Sequence, residues 1–429
     1  MLPYHARTAP WDPQLSFVMN QPQHQVVVFG ATSFVGQILC RYLLERHGVD
    51  GSLRWAMAGR SETKLRQLQT QLGAGAERIP LIVVDAADEA GLRALCTGTR
   101  VVVSTVGPYA LYGSPLVKVC AETGTDYCDL TGEVQWIHRM IEAHEATAKR
   151  TGARIVHCCG FDSIPSDLGV HFLQQQTQAR YGTPATRIKL RVKAMRGGLS
   201  GGTVASMMNA VREVAVNPAV RKLMTDPYAV CAHGGADRPR QPEVRFAEFD
   251  ADTRGWVAPF VMAAINTRIV HRSNALKNDA YGREFLYDEA MMTGPGFKGR
   301  MAAAGVALGL GGFVAATLLP PTRWLLEKFV VPKPGEGPSP EDQEKGYYDY
   351  RFYGRTADGQ SLRAKVTGDR DPGYGSTAKI LGEAAVCLAL DVPKDRLAGG
   401  FWTPATALGD ALIQRLIAHA GLKFEVQEG

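Results

Sequence analysis

The sequence has little of what marks a secreted, metal-binding or nucleic-acid-binding protein. None of its eight cysteines pair at CxxC spacing, and the only adjacent pair is Cys158 and Cys159. The N-terminus is interrupted by prolines and has no apolar segment of signal-peptide type. The net charge of +6 is spread along the chain instead of forming a basic run. These absences predict a reduced, cytoplasmic protein with free thiols, no metal site and no nucleic-acid partner.

Length and composition predict two folded domains. The chain has 429 residues, of which 45% are hydrophobic and 21% charged, and this is too long for one ordinary core. We expect a flexible tail over residues 1–24, a nucleotide-binding domain over 25–165 and a substrate domain over 166–369. Residues 370–429 are expected to pack back on the first domain.

Repeated strand–helix units in the first domain predict a Rossmann-type, doubly wound parallel sheet. Short runs rich in β-branched residues predict buried strands, at Val26–Phe29, Leu53–Met57, Leu81–Val84, Val101–Thr105 and Arg154–His157. The stretches between them predict helices, at Val35–Arg46, Glu62–Gln71, Glu89–Leu95, Pro115–Thr123 and Val134–Arg150.

The second domain has longer predicted strands and no regular strand–helix alternation, which predicts an α+β fold with a mixed or antiparallel sheet. We expect strands at Arg187–Met195 and Phe260–His271 and a helix at Gly202–Val216. Turn residues between Tyr348–Tyr353 and Ser361–Val366 predict a hairpin. Two later stretches predict helices, at Thr377–Leu390 and Leu408–His419.

A glycine-bounded turn follows the first strand and predicts a pyrophosphate site. It reads Gly30, Ala31, Thr32, Ser33, Phe34, Val35 and Gly36. A glycine at the strand end permits a tight turn, and the next helix begins with unpaired N–H groups directed at the phosphates. Ser33 stands where related folds often have a middle glycine. An ordinary strand–helix turn is the alternative interpretation, because glycines after strands are common.

The end of the second strand favours NADP over NAD. NAD-binding folds place an acidic residue there for the ribose hydroxyls, whereas this chain has Arg60, Ser61 and, one turn later, Lys64. Arg60 can hold a 2′-phosphate through its planar guanidinium; the alternative is a surface arginine. After later strands, Asp85 is expected either near the adenine or capping a turn, and Val106 and Gly107 beside the cofactor.

These residues belong to long stretches that resemble the saccharopine dehydrogenase-like oxidoreductases, including the trans-acting enoyl reductases. The stretches run from about residue 25 to the C-terminus and read GATSFVG, AGRSETKL, STVGPYALYGSPLVKVCAETGTDYCDLTGE, GFDSIPSDLG, KPGEGPSPEDQEKGYY and AGGFWTPATALGD. The resemblance implies NADP-dependent reduction of a bulky hydrophobic substrate and an association with lipid membranes or droplets. It does not imply that saccharopine is the substrate.

Four side chains near the carboxyl edge of the predicted sheet are candidates for the acid chemistry that accompanies reduction: Tyr109, Asp129, Glu133 and Asp162. Reduction of an enone or imine needs a proton donor, which a tyrosine, an acid or a water can be. Each candidate has a structural alternative, because carboxylates often cap helices or fix turns. Cys158 and Cys159 are expected to pack as small apolar residues.

Three functions remain open on these residues. The first is NADPH-dependent reduction of a hydrophobic enoyl or acyl compound of lipid or polyketide type. The second is an amino-acid dehydrogenase of the saccharopine type, which needs a cluster of cations for several carboxylates; a row of cations alternates from Arg187 to Arg196. The third is an NADP-binding sensor or scaffold without turnover.

Met301–Thr322 contains no charged residue, and basic residues flank it on both sides. A helix of this length could reach across hydrocarbon, but four glycines weaken it and Pro320 and Pro321 end it. We expect this segment to lie on a membrane or lipid surface at the inner face, or to be buried between domains or between the subunits of a homodimer; a helix that crosses the membrane is the third alternative.

Overall fold

The structure, a computed structural model, describes residues 22–197, 201–232, 234–235, 237–318, 320–329 and 337–427. Nearly all of the predicted tail and most of the proline-rich loop after residue 331 lie outside these ranges. Two seven-stranded sheets form the framework.

The first part of the chain alternates strands and helices as predicted. The strands are β1 (His24–Phe29), β2 (Trp55–Gly59), β3 (Leu81–Val83), β4 (Thr99–Ser104), β5 (Asp126–Asp129) and β6 (Arg154–Val156). The helices are α1 (Phe34–His47), α2 (Glu62–Leu72), α3 (Glu89–Thr97), α4 (Tyr109–Tyr112), α5 (Ser114–Thr123) and α6 (Val134–Thr151).

The middle of the chain contributes the second sheet and its helices. The strands are β7 (Ala185–Arg196), β8 (Glu248–Asp250), β9 (Gly255–Pro259), β10 (Leu286–Gly294), β11 (Tyr347–Thr356) and β12 (Ser361–Gly368). The helices are α7 (Ile164–Tyr181), α8 (Gly201–Val216), α9 (Pro218–Thr225), α10 (Ala263–Leu276), α11 (Gly296–Leu318), α12 (Pro320–Phe329) and α13 (Pro340–Glu344).

The C-terminal part of the chain contributes to both sheets. It consists of α14 (Thr377–Leu390), β13 (Gly400–Trp402), α15 (Pro404–Ala407), α16 (Gly409–His419) and β14 (Lys423–Gln427). β13 extends the first sheet beside β6, and β14 extends the second beside β12.

The first sheet is parallel throughout and has the order β13-β6-β5-β4-β1-β2-β3. After β3 the chain returns to the other side of β1, so the strand order reverses between β1 and β4. In doubly wound sheets, ligands bind in the crevice outside the carboxyl ends of the strands at this reversal. The Rossmann-type fold is confirmed, and it places the residues after β1 and β4 at the predicted cofactor site.

The second sheet is mixed and confirms the predicted α+β domain. Its order is β14-β12-β11-β7-β10-β9-β8; β7 and β10 run parallel, and the other pairs run antiparallel. Helix α7 leaves the first sheet and lies across the second. Gly169 lets it approach closely, because a Cβ at that position would lie 2.2 Å from the Phe352 ring.

The prediction of a strand at Phe260–His271 is wrong. The strand ends at Pro259, and α10 begins at Ala263. Nearly every residue from Ile265 to Asn274 is buried, on all sides of the helix. A helix covered on all sides has no polar stripe, so its sequence lacks the period by which helices are recognised.

Candidate functional site

The turn after β1 has the backbone that the glycine pattern predicts. Gly30 has a φ of +88°, in the left-handed region that favours glycine. A Cβ there would lie 2.6 Å from Val106 Cγ2 and 2.8 Å from Thr105 Oγ1. The glycine is therefore required by the close approach of the segment after β4, and Ala31 behind it is fully buried.

Ser33 caps α1 in place of the glycine common in related folds. Its Oγ accepts a hydrogen bond from Gly36 N at 2.9 Å, and the Thr32 carbonyl accepts one from Gln37 Nε2. Gly36 lies close to the turn, since a Cβ there would be 2.2 Å from the Gly30 oxygen.

The rest of this helix start is open to an anion. In the described part of the chain, the N–H groups of Phe34 and Val35 have no protein acceptor. The helix dipole adds positive potential at this end. The Phe34 ring lies edge-on to the Tyr374 ring, with 4.7 Å between the ring centroids.

Arg60 is exposed at the tip of β2, and within the described part of the chain it has no ion-pair partner. Ser61 caps α2, accepting from Lys64 N at 3.4 Å. Lys64 is also exposed. An unengaged guanidinium and a helix start beside the crevice suit a phosphate carried by the adenosine ribose.

The two remaining cofactor candidates differ in environment. Asp85 is exposed after β3, and its carboxylate accepts from Ala87 N at 2.9 Å, which is the turn-capping alternative. Val106 lies against Gly30, and Gly107 is exposed beside it. The residues after β3 and β4 thus lie at the carboxyl edge of the first sheet, as do the Gly30 turn and Arg60. This edge therefore has the shape and charge to hold NADP.

Tyr109 and Glu133 are engaged in the protein frame. The Tyr109 hydroxyl is buried and donates to the Ser104 carbonyl at 2.9 Å, and burial raises its pKa well above the usual value. The Glu133 carboxylate accepts from Tyr109 N and Ala110 N at 2.7 and 3.0 Å and from Ser206 Oγ at 2.8 Å. Glu133 therefore caps α4, and its side chain makes no capping hydrogen bond to α6, the helix that begins at the next residue.

Asp129 is fully buried and tied to a histidine. One oxygen accepts from Thr131 N and Cys158 N, each at 3.1 Å, and the other lies 2.7 Å from His157 Nδ1. These bonds join the loops after β5 and β6. The hydrogen bonds of Tyr109, Asp129 and Glu133 stabilise the loops around them. These contacts do not support a catalytic role for the three residues, which stays a prediction.

Asp162 differs from the other three candidates. It lies in the loop between β6 and α7, is half-buried, and makes no side-chain hydrogen bond within the described part of the chain. Burial raises the pKa of its carboxyl to about 7. A carboxyl that still holds its proton near neutral pH can donate that proton to a reacting group.

A buried network that the sequence did not reveal lies between the two sheets. Asn266 Nδ2 donates to Glu289 Oε2 at 2.9 Å, and its Oδ1 accepts from Ser163 Oγ at 2.9 Å. Tyr287 donates to the other Glu289 oxygen at 2.7 Å. Burial raises the pKa of Glu289 to about 7.

This network adjoins Asp162, because Ser163 is its next residue in the chain. Nearby, Phe161 packs between Tyr348 and Tyr350, and the Tyr350 hydroxyl is buried without a partner in the described ranges. No local sequence signal marks this network, because Glu289 in β10 follows a second acid, Asp288, as in a surface strand. Among the described residues, no group of three or more His, Cys, Asp or Glu side chains is arranged to hold a metal ion.

Comparison with known proteins gives the same picture. Residues 26–156 match the saccharopine dehydrogenase NADP-binding domain. The trans-acting enoyl reductase of Mycobacterium tuberculosis (strain ATCC 25618 / H37Rv) is 41% identical over 414 residues, 92% of this chain and 96% of the relative. The protein of that name from Mycobacterium ulcerans (strain Agy99) is 41% identical over 413 residues, with the same coverage of 92% and 96%.

The fold of both domains has a solved counterpart. Apo saccharopine dehydrogenase (L-Glu forming) from Saccharomyces cerevisiae superposes with a TM-score of 0.53, over 94% of this chain and 99% of that one. The two sequences are 12% identical, so this likeness concerns the fold alone.

Proposed function

Because this chain belongs to the saccharopine dehydrogenase-like oxidoreductases, the family that includes the trans-acting enoyl reductases, we propose that it reduces the carbon–carbon double bond of a hydrophobic enoyl substrate with NADPH. The observation that carries the proposal is the 41% identity, over nearly the whole length, to relatives named for that activity. We take the substrate to be an acyl chain of lipid or polyketide type, with the protein working in the cytoplasm or at a membrane facing it.

The cofactor is held by residues at the carboxyl edge of the first sheet. The start of α1 binds the pyrophosphate through the N–H groups of Phe34 and Val35, and Gly30 keeps the turn open for it. Arg60 binds the 2′-phosphate and thereby favours NADPH over NADH. When bound, NADPH supplies a hydride to the β-carbon of the enoyl group.

Asp162 supplies the proton. Its carboxyl is protonated below its pKa of about 7 and donates to the α-carbon as negative charge develops there. The substrate thus gains one hydride and one proton, NADPH becomes NADP⁺, and the Asp162 carboxylate is left ionised. Asp162 is not completely buried, so it can regain a proton from solvent for the next turnover.

Three cations of β7 that are at least partly buried, Arg187, Lys189 and Arg191, argue against an amino-acid dehydrogenase; the other two, Lys193 and Arg196, are exposed. Arg187 pairs with Asp288, Lys189 with Asp252 at 2.6 Å, and Arg191 with both Asp250 and Asp288 at 2.7 Å. These positive charges are already balanced by carboxylates of this chain. A site for a substrate with several carboxylates would need cations that are not already paired.

Turnover with a panel of substrates tests the proposal. NADPH consumption is measured with long-chain 2-enoyl thioesters, with ketones of similar size, and with 2-oxo acids plus amino acids. We expect consumption with enoyl thioesters and a product heavier by two hydrogen atoms. Asp162→Asn is the matched variant, expected to bind NADPH but not to turn over. Consumption only with 2-oxo acids and amino acids would make the protein an amine-forming dehydrogenase. NADPH binding without turnover of any substrate would make it a sensor or scaffold.

A further inference from the structure

Helix α11 is an apolar helix that lies on the outside of the protein. Among the described residues it alone is long and apolar enough to cross a membrane, by length and composition, with a mean hydropathy of 1.8. Only 11% of its most apolar 18-residue window is buried. A helix of this composition in a protein core would be mostly covered, so α11 lacks the partner that its sequence requires.

The exposed side chains of α11 are large and apolar. The exposed fraction is 75% for Phe297, 55% for Met301, 67% for Leu308 and 43% for Val314. Between them, the helix glycines face open space, since a Cβ would meet no atom within 4 Å, at Gly305, Gly309, Gly311 and Gly312. No described element of this chain covers that side of the helix, which removes burial between the two domains as an explanation.

The outer face of α11 also has no polar stripe. From Met301 to Ala316 the chain has no polar side chain at all, although a helix at a water-facing surface normally carries charged residues outward. Contiguous exposed apolar surface of this kind marks an interaction site with another protein or a membrane.

Charge and aromatic residues at the two ends select a lipid surface as the occupant. From Ala290 to Lys328 the charged residues are Lys298, Arg300, Arg323, Glu327 and Lys328, four of them basic and one acidic. The Arg300 guanidinium lies 5.3 Å from the Trp256 ring centre, and Lys328 Nζ lies 4.6 Å from that of Trp324. Tryptophan beside basic residues is typical of the headgroup level of membranes, and the cations complement anionic lipids.

The chain path excludes a single crossing. α11 leaves from β10, and the chain returns to β11; both strands pair with β7 in the same sheet. The returning helix α12 has 10 residues, about 15 Å of helix, half the hydrocarbon thickness. By Gly337 the chain is again beside Phe34 of the first domain, where a Cβ would lie 2.3 Å from its ring. Both ends of the segment therefore stay on one side of the membrane.

We propose that α11 and the start of α12 form an in-plane membrane anchor. Its exposed apolar side chains enter one leaflet, and Lys298, Arg300 and Arg323 bind anionic headgroups. This proposal is independent of the reaction, and it names one occupant for the surface: a lipid bilayer with anionic lipids.

Vesicle flotation tests the anchor. Purified full-length protein is mixed at low salt with phosphatidylcholine vesicles, with or without phosphatidylglycerol. We expect flotation with the anionic vesicles, and at least a tenfold smaller floating fraction with phosphatidylcholine alone or at high salt. The double variant Leu308→Glu, Val314→Glu should also float at least tenfold less than wild type with the anionic vesicles. Both positions are exposed, so the variant should keep its thermal unfolding temperature and NADPH binding. Ile417→Glu, at an exposed apolar residue of α16 (44% exposed), is the matched control and should float like wild type.

Three results would overturn the proposal. Wild-type protein that stays at the bottom of the gradient at low salt has no anchor. If the wild type does not float but forms a homodimer without lipid, and the Leu308→Glu, Val314→Glu double variant is monomeric, the surface binds a second copy of the chain. Labelling of a Gly312→Cys variant by an impermeant reagent enclosed in the vesicle lumen shows a helix that crosses the bilayer.

Discussion

The hydroxyl oxygens of Ser33 and Thr105 lie 2.9 Å apart, which joins the turn after β1 to the segment after β4. Gly36 N donates to Ser33 Oγ at 2.9 Å, and Thr105 Oγ1 donates to the Gly30 carbonyl at 2.9 Å. A continuous chain of hydrogen bonds thus runs from the first turn of α1 back to Gly30, the glycine that follows β1. This chain fixes the shape of the proposed pyrophosphate site.

Ser33→Ala should break this chain at its centre. We expect the free energy of unfolding to fall by about 1 kcal/mol, the usual effect of losing an N-cap, and NADPH affinity to fall several-fold. Ser33→Gly is the control, because glycine at an N-cap costs only a few tenths of a kcal/mol relative to serine. Thermal unfolding and NADPH titration measure both effects. Equal unfolding temperatures for wild type and Ser33→Ala would show that the cap contributes nothing.

Gly30→Ala should remove NADPH binding. A Cβ at Gly30 would lie 2.6 Å from Val106 Cγ2, and the φ of +88° adds strain. We expect at least a tenfold higher Kd for NADPH by fluorescence titration. Gly73→Ala is matched for backbone strain, since its φ is +91° and nothing lies within 4 Å of its Cβ. That control should lose about 1 kcal/mol of stability and keep its Kd. If the two variants bind NADPH equally well, the site is not at this turn.

Arg60→Ala should weaken NADPH binding by roughly 1.5–3 kcal/mol, the range for hydrogen bonds to a charged group. NADH carries no 2′-phosphate, so its affinity should change little and the preference between the two cofactors should narrow. Arg66→Ala, at an exposed arginine of α2 paired with Glu62, is the control and should leave both affinities unchanged. Calorimetric titration with both cofactors measures this. Tighter binding of NADH than NADPH to the wild type would contradict the assignment of Arg60.

The first domain could be predicted because its strands carry a local signal. Runs such as Val26–Phe29 are apolar on both faces and are followed by a glycine, so strand, turn and helix start are visible in a few residues. The second domain offers less. Strand β10 contains Asp288 and Glu289, both buried, and these charges hide it among surface-like sequence. The buried charges are stabilised by partners distant in the chain, as Arg191 is for Asp288.

The candidate site divides in the same way: its cofactor residues could be predicted from the sequence, and its buried network could not. The cofactor residues follow strand ends, and that position is set by the order of the chain. The network around Glu289 was not predictable, because Ser163, Asn266 and Glu289 come together only when α7, α10 and β10 pack. Sequence reasoning could also not distinguish Asp162 from Asp129. Asp129 is the last residue of β5 and Asp162 lies in the loop after β6, so both stand at the carboxyl edge of the sheet, and only the burial and bonding of each carboxyl separate them.

Asp162→Asn should separate proton donation from folding. The amide has nearly the same shape but cannot donate an acidic proton, so we expect turnover to fall at least 10²-fold while the Kd for NADPH stays within twofold. Wild-type turnover should decline as pH rises through about 7, because the carboxyl with that pKa loses its proton. Steady-state rates from pH 5 to 9 measure this. A wild-type rate that is flat across this range would exclude Asp162 as the donor.

The same carboxyl should make the stability of the wild-type protein depend on pH. In the folded protein the pKa of Asp162 is raised from 3.8 to about 7, so the folded state holds this proton more firmly than the unfolded state. The resulting stability is fully present below pH 4 and is lost as pH rises towards 7. The asparagine side chain of the Asp162→Asn variant cannot ionise and escapes this loss. Relative to wild type, the variant should therefore gain stability as pH rises through this window, by at most about 4 kcal/mol above pH 7.

Urea unfolding of wild type and Asp162→Asn at pH 5 and pH 8 measures this gain. Both proteins contain Glu289, whose pKa is also raised to about 7, so comparison of the two proteins at each pH cancels its titration. We expect the difference in the free energy of unfolding to be larger at pH 8 than at pH 5. An equal difference at both pH values would show that the Asp162 carboxyl is ionised in the folded protein throughout, because a group with an ordinary pKa has already lost its proton at pH 5 in both states. An ionised carboxylate has no proton to give, so that result would also remove Asp162 as the donor.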